Sequence, residues 1–229
     1  MSLSLEDVAV VCYFTTSLGN PGNREILRLS AKFGEETFAT WIKPSKPVSP
    51  EIARSMPRFK FTESGMFLDR IKLSTVSMET ALKMFYVFLK FIPKPALLVT
   101  FTSEYESMLL LRFIEKKGML YRFRKVIAGF SNTLPLFRQF LPNQDMTLSN
   151  LTMRLLNRRY SNQWPEASYA LDCLNQLVFS QLFVAELIRI RVPLPMRAPF
   201  LSDAQQAHGK KVQNNARVNP ADTFRDRFE

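Results

Sequence analysis

The sequence predicts an α/β protein with a mixed sheet that is flanked by helices. Val8 to Thr15 is a continuous apolar run rich in β-branched residues, which is typical of a strand buried on both faces. Residues 25–32 and 36–43 alternate apolar and polar side chains, which predicts two antiparallel strands after the first. Met78 to Phe91 has apolar residues at helical spacing. This order indicates antiparallel strands that lead into parallel crossovers.

The remaining elements follow from capping residues and periodicity. Ser49 and Pro50 start a short helix, and Ser74 or Ser77 caps the helix at 78–91. The later segments are predicted to be a strand at 96–101, a helix at 104–117, a strand within 120–128, short helices at 133–141 and 148–156, and a long helix at 165–191. Prolines at 193, 195 and 199 end the last helix.

Composition divides the chain into one folded domain and a tail. The chain has 229 residues, of which 46% are hydrophobic, which suits a single α/β domain over residues 1–201. Residues 202–229 have few large apolar side chains, so we expect a flexible tail there. No run reaches the roughly 18 apolar residues of a membrane span.

Charge and cysteine content narrow the classes of partner and compartment. The 31 basic residues exceed the 20 acidic ones and give a net charge of +11, which favours polyanions or acidic protein surfaces. Cys12 and Cys173 lie in apolar stretches, and two cysteines with a single histidine, His208, cannot form a zinc site. These features predict an intracellular protein without a cofactor.

Six segments, taken in order and spacing, resemble the DEDDh exonuclease superfamily. The first family strand, which usually carries D-x-E, is similar to 10–18; the remaining matches are 41–53, 78–89, 129–141, 147–156 and 167–177. The resemblance covers residues 8–178 and implies a mixed five-stranded sheet of RNase H-like type. Within the superfamily, the "GF…LPL-R" string is most similar to the exonuclease-like domain of the promyelocytic leukaemia protein, and less similar to insect Exuperantia.

The resemblance also implies a site whose chemistry has been lost. The family holds two divalent metals with four carboxylates and uses a histidine as general base. Its first two carboxylates fall on Cys12 and Phe14, and its histidine falls on Ala167. Asp172 retains the closing carboxylate, and Glu106 is either a stand-in for the second one or an exposed helix residue. We therefore expect a pseudo-exonuclease with no metal and no catalytic residue.

Two basic and aromatic clusters are candidates for nucleic-acid binding, because cations contact phosphates and aromatic rings stack on bases. The alternative is that they are ordinary solvated surfaces. The first cluster contains Lys116, Lys117, Arg122, Arg124 and Lys125 beside Tyr121 and Phe123, and the second contains Arg154, Arg158 and Arg159 before Tyr160 and Trp164.

Residues 174–190 are apolar on more than one helix face, which indicates either a helix buried in its own domain or a subunit interface. Phe183, Leu187 and Ile188 are the interface candidates. The preferred hypothesis is an inactive exonuclease-fold protein that binds a protein partner, with a homo-oligomer as one form of this. A nucleic-acid-binding protein ranks second and an active nuclease using Glu106 and Asp172 ranks third. The resemblance favours the nucleus over the cytoplasm.

Overall fold

The computed structural model describes residues 6–19, 24–101, 104–142, 145–159, 167–181 and 184–194. Its strands are β1 Ala9–Leu18, β2 Glu25–Phe33, β3 Glu36–Ile42, β4 Phe59–Thr62, β5 Gly65–Leu68, β6 Ile71–Lys72, β7 Thr75–Val76, β8 Ala96–Thr100 and β9 Ile127–Asn132. Its helices are α1 Pro50–Arg54, α2 Met78–Phe91, α3 Glu104–Lys116, α4 Leu120–Phe123, α5 Leu134–Phe140, α6 Leu148–Leu156, α7 Ala167–Gln181 and α8 Val184–Arg189.

The main sheet has six strands in the order β7-β3-β2-β1-β8-β9. β1, β2 and β3 are antiparallel neighbours, whereas β8 and β9 join β1 in parallel. The predicted fold class is therefore confirmed, with six strands in place of five. The sixth strand is the two-residue β7, which pairs with Trp41 and Ile42 and is too short to show a sequence period.

Two hydrophobic cores lie on opposite faces of the main sheet. Tyr13 and Leu98 belong to the core under α2 and α3. Cys12 and Val99 belong to the core under α5, α6, α7 and α8. The alternation follows from the period of two in a strand, so neighbouring residues of β1 and β8 enter different cores.

The strand predicted within 120–128 is wrong over residues 120–126. Residues 120–123 form the one-turn helix α4, and β9 begins only at Ile127. Phe123 is fully buried against Phe85 and Tyr86 of α2, so tertiary packing overrides the alternating pattern of basic and aromatic residues.

A second, smaller sheet was missed by the sequence analysis. β4, β5 and β6 form a three-stranded antiparallel meander between β3 and α2. Its inner face contributes Phe59, Met66 and Leu68 to a third core, and Trp41 of the main sheet contacts Phe59 edge-on at 5.8 Å. Strands of four, four and two residues are too short to show reliable alternation.

The end of the described chain closes one edge of the main sheet. Val192 forms an antiparallel bridge with Phe130 of β9. Gly129 makes this approach possible, because a Cβ atom there would lie 2.8 Å from the carbonyl oxygen of Val192. The long helix predicted at 165–191 is seen as α7 and α8. None of the described helices is long and apolar enough to cross a membrane.

Candidate functional site

The strand register brings Cys12 into one row with Lys32 and Val99. Cys12 of β1 pairs with Lys32 of antiparallel β2 on one side and with Val99 of parallel β8 on the other. Paired residues in adjacent strands point to the same face of a sheet. This row therefore faces the layer of α7, which packs against both β1 and β2.

Lys32 and Asp172 form an ion pair at the centre of this face. The Nζ atom of Lys32 donates to Oδ1 of Asp172 across 2.6 Å, and only 13% of the Lys32 side chain is exposed. The hydrogen bond to Asp172 raises the pKa of Lys32, so the side chain is an ammonium at neutral pH. The single carboxylate that the resemblance retains is thus occupied by a positively charged side chain of the same chain.

The two positions beside this pair hold apolar or neutral groups. Cys12 is fully buried, as predicted, and burial raises the pKa of its thiol far above the usual range, although the charge of Lys32 acts in the opposite direction. The thiol is therefore protonated at neutral pH and is a poor nucleophile. The partly buried ring of Phe14 packs against the same core and offers no ligand atom.

Glu106 makes its contacts toward the other core. Its Oε2 accepts a hydrogen bond of 2.6 Å from Oγ1 of the fully buried Thr100, which has the strand parity of Leu98. Burial raises the pKa of Tyr13, and the charge of Glu106 raises it further, so Glu106 also lies near Tyr13. These contacts favour a structural role for Glu106 over the alternative of a stand-in ligand beside Asp172.

The remaining candidate positions either have structural roles or lie outside the residues that the structure describes. Asn132, which lies in the matched segment 129–141 where a related motif often has Asp, accepts a 3.0 Å hydrogen bond from the backbone N–H of Leu134, so its oxygen caps the start of α5. α7 begins at Ala167, whose methyl side chain has no proton to exchange. His208 lies outside the described residues.

The donor set does not fit a two-metal centre. Magnesium requires several oxygen ligands, whereas Asp172, Cys12 and Phe14 offer one carboxylate that already pairs with an ammonium, one protonated thiol and one phenyl ring. Among the described residues, no three His, Cys, Asp or Glu side chains form a group that could hold a metal ion. No catalytic step through a metal can be derived from these residues.

The first basic cluster lies at the far edge of the sheet from Asp172. α3 starts after the carboxyl end of β8 and runs back, so Lys116 and Lys117 lie near the amino ends of the parallel strands. There the backbone N–H of Ala96 donates to the carbonyl oxygen of Val126. Arg122, Arg124 and Lys125 follow on or just after α4, and Lys125 lies 4.6 Å from the centre of the exposed Tyr121 ring. The buried Phe123 is not available to stack on a base.

The second basic cluster lies on the same helix face as Asp172. Nη1 of Arg158 donates to Oε1 of Gln176 across 2.7 Å, and its guanidinium lies 5.3 Å from the centre of the Tyr169 ring. Tyr169 in turn donates to the carbonyl oxygen of Arg159. Residues 169, 172 and 176 are spaced at three and four along α7 and share one face. Arg154 is exposed on α6, and Tyr160 and Trp164 lie outside the described residues.

The apolar C-terminal helix belongs to the chain's own core as far as it is described. Leu187 and Ile188 are 0% and 5% exposed and pack with α7 and β1 residues, which removes them as candidates for a subunit interface. Phe183 lies outside the described residues. Large exposed apolar side chains occur on α2 instead, where Met84, Val87 and Phe91 border a groove beside Phe38 of β3.

Sequence reasoning missed Lys32, the residue that defines the site. A usable signal was present, because Arg28, Ser30 and Lys32 alternate with apolar residues on β2 and place polar side chains next to the apolar strand β1. Sequence could not supply the register that sets Lys32 opposite Cys12, nor the crossing of α7 above it.

Comparison with known proteins supports the fold and leaves the activity open. No family model matches the chain, and no curated protein matches its sequence. The structure is similar to that of S. pombe Pop2p in its Mg²⁺- and Mn²⁺-bound form, with a TM-score of 0.51 and 11% identity over 76% of this chain and 84% of that chain. The protein therefore has an RNase H-like exonuclease fold. At this level of identity, the similarity identifies the fold alone.

Proposed function

We propose that this protein is a catalytically inactive exonuclease-fold module that acts by binding. The ion pair of Lys32 with Asp172 carries this proposal. An ammonium 2.6 Å from the retained carboxylate neutralises its charge and lies where a divalent cation would have to bind. Cys12 and Phe14 supply no replacement ligand, and Glu106 is engaged at Thr100.

The test is a nuclease assay with a matched set of variants. Wild-type protein, Asp172→Ala and Lys32→Ala are incubated with single-stranded RNA and DNA in magnesium or manganese. We expect no degradation by any of the three. Metal-dependent degradation by wild type that Asp172→Ala abolishes would overturn the proposal, whereas activity that survives Asp172→Ala would indicate a contaminating nuclease.

A protein partner is the first form of binding that we propose, and the α2 surface supports it. Phe91 is 84% exposed, and it continues a surface formed by Met84 and Val87 beside the β3 edge. Wide exposed apolar surface usually marks association. Wild-type protein and Phe91→Glu are each purified from native cells together with their bound partners. We expect a specific partner to co-purify with wild type and to be lost with Phe91→Glu. A wild-type dimer that Phe91→Glu splits would identify a second copy as the partner.

Nucleic-acid binding is the second form, and the Arg158 cluster beside Asp172 favours it. Nuclease treatment during the purification separates partners held through nucleic acid from those held directly.

We also propose the finer resemblances, to the promyelocytic leukaemia domain and to Exuperantia. The first of these implies a nuclear location. Imaging of the tagged protein tests the location.

A further inference from the structure

We propose that the outer face of the small sheet β4-β5-β6 is a binding site for single-stranded nucleic acid. This inference rests on the proposed function only in expecting binding without degradation. The site differs from both clusters found in the sequence and lies on the side of the small sheet that faces away from Phe59, Met66 and Leu68.

The register of this sheet places one aromatic ring between two lysines. Phe67 in the central strand β5 pairs with Lys60 of β4 and with Lys72 of β6, so the three side chains share the outer face. Phe67 is partly exposed and packs against none of the three hydrophobic cores among the described residues. The stem of Lys72 crosses the neighbouring Gly65, whose Cβ position would lie 3.3 Å from Lys72 Cε.

The cations of this face are available to an external anion. Lys60, Arg70 and Lys72 are exposed and form no ion pair within the part of the chain that the structure describes. Arg58 differs, because it pairs with Asp69 and stabilises the turn. An open cavity of about 560 Å³ lies over this surface and is lined by Lys60, Phe67 and Arg70 among others.

The turn between β5 and β6 presents Arg70 in an unfavourable backbone conformation. Leu68 pairs with Ile71, so Asp69 and Arg70 form a two-residue hairpin turn with φ values of 47° and 71°. Glycine or asparagine normally occupies such positions, because a Cβ atom destabilises the left-handed region. A long cationic side chain at Arg70 therefore has a conformational cost that a glycine would avoid, which fits a selected contact.

These features match the chemistry of a single strand. Aromatic rings stack on bases of any sequence, and flanking lysines contact the phosphates on either side. A polyanion without bases would contact the lysines and would not use the ring, whereas a single strand would use both. We therefore expect binding that depends on both charge and Phe67.

The experiment measures binding of the full chain to fluorescent oligouridylate and oligothymidylate of about 12 nucleotides over a range of salt concentrations, with heparin as a base-free polyanion. Lys60→Glu combined with Lys72→Glu should weaken binding and lower the salt slope by about 0.7 for each lost phosphate contact. Phe67→Leu should weaken oligonucleotide binding about tenfold or more while leaving heparin binding unchanged, and Phe67→Trp should retain it. Lys94→Glu, which reverses an exposed charge in the loop before β8, is the charge control and is compared with Lys60→Glu alone, because both variants change the net charge equally.

Thermal unfolding of each variant excludes loss of folding, and Arg70→Gly provides a variant that should fold at least as well as wild type while binding more weakly. Equal loss of affinity in Lys94→Glu and in Lys60→Glu would overturn the proposal in favour of non-specific attraction. Loss in Lys116→Glu with no loss in the Lys60/Lys72 variant would assign binding to the other cluster. An acidic peptide that binds where the oligonucleotides do not would also overturn it. Oligonucleotide length is measured in parallel, so degradation would contradict the inactive site without bearing on this surface.

Discussion

The row of Cys12 and Lys32 on the main sheet and the row of Lys60, Phe67 and Lys72 on the small sheet place lysine in opposite situations. Lys32 is nearly enclosed and already holds the carboxylate of Asp172. Lys60 and Lys72 are exposed and have no ion-pair partner among the described residues. The ammonium of Lys32 is therefore held by a carboxylate of the same chain, whereas those of Lys60 and Lys72 are available to an external anion. Burial beside a carboxylate accounts for the difference.

The largest expected effect comes from placing carboxylates at Cys12 and Phe14, on the sheet face that holds the ion pair of Lys32 with Asp172. Cys12→Asp combined with Phe14→Glu should lower the free energy of unfolding by about 3–5 kcal/mol in metal-free buffer, because buried charges lack sufficient compensation even beside Lys32. Urea unfolding measures the change. Lys60→Asp with Thr62→Glu on the outer face of the small sheet is the control and should change stability by less than about 1 kcal/mol. An unchanged midpoint for the first variant would indicate that the row is hydrated.

Alkaline pH should destabilise the folded chain through two buried groups of β1, which face opposite cores. Burial raises the folded-state pKa of Cys12 and of Tyr13, so both groups stay neutral in the folded chain. Their contribution is complete below the unfolded pKa values, about 8.5 and about 10, and is lost as pH rises through and above them. The free energy of unfolding should fall by about 1.4 kcal/mol per pH unit for each group above those values.

Unfolding in urea between about pH 7 and about pH 11 tests this dependence on the ionisation of Cys12. Cys12→Val should flatten the first part of the fall, and the raised pKa of Cys173 should leave a residual slope. Parallel curves for wild type and Cys12→Val would contradict the assignment of that slope to Cys12.

Removal of the ammonium should have an intermediate effect. Lys32→Met should reduce the free energy of unfolding by about 1–2 kcal/mol, because Asp172 loses a charge-assisted hydrogen bond but stays partly exposed and screened. Lys83→Met, which removes an exposed helix pair with Glu79, should leave stability almost unchanged. A double-mutant cycle with Asp172→Asn isolates the pair. Equal effects at Lys32 and Lys83 would remove the distinction between the two environments.

The smallest effect should be a gain of stability at the small sheet. Arg70→Gly should leave the free energy of unfolding unchanged or raise it by up to about 1 kcal/mol, since glycine adopts φ of 71° without strain but is freer when unfolded. Thermal unfolding measures it. A clear loss of stability would mean that the Arg70 side chain supports the turn, which would weaken its assignment to ligand binding.

The sequence by itself determined the elements that are long and regular. The sequence predicted β1, β2, β3 and α2 to within a few residues. It could do so because the buried face of a long element appears in the sequence as a regular spacing of apolar residues. Ser49 predicted the start of α1 in the same way, and Ser77 is the one of the two candidates, Ser74 and Ser77, that caps α2.

Only the tertiary structure decided which side chains meet. Lys32 and Asp172 are 140 residues apart in the chain, and their contact depends on the register of β2 and on the path of α7. Sequence left Glu106 open between a stand-in ligand and an exposed helix residue, and its bond to Thr100 is visible only in the tertiary structure. Cross-strand pairing brings Lys60, Phe67 and Lys72 onto one face. This row could not be predicted from the sequence, because such short strands show no period that identifies a face.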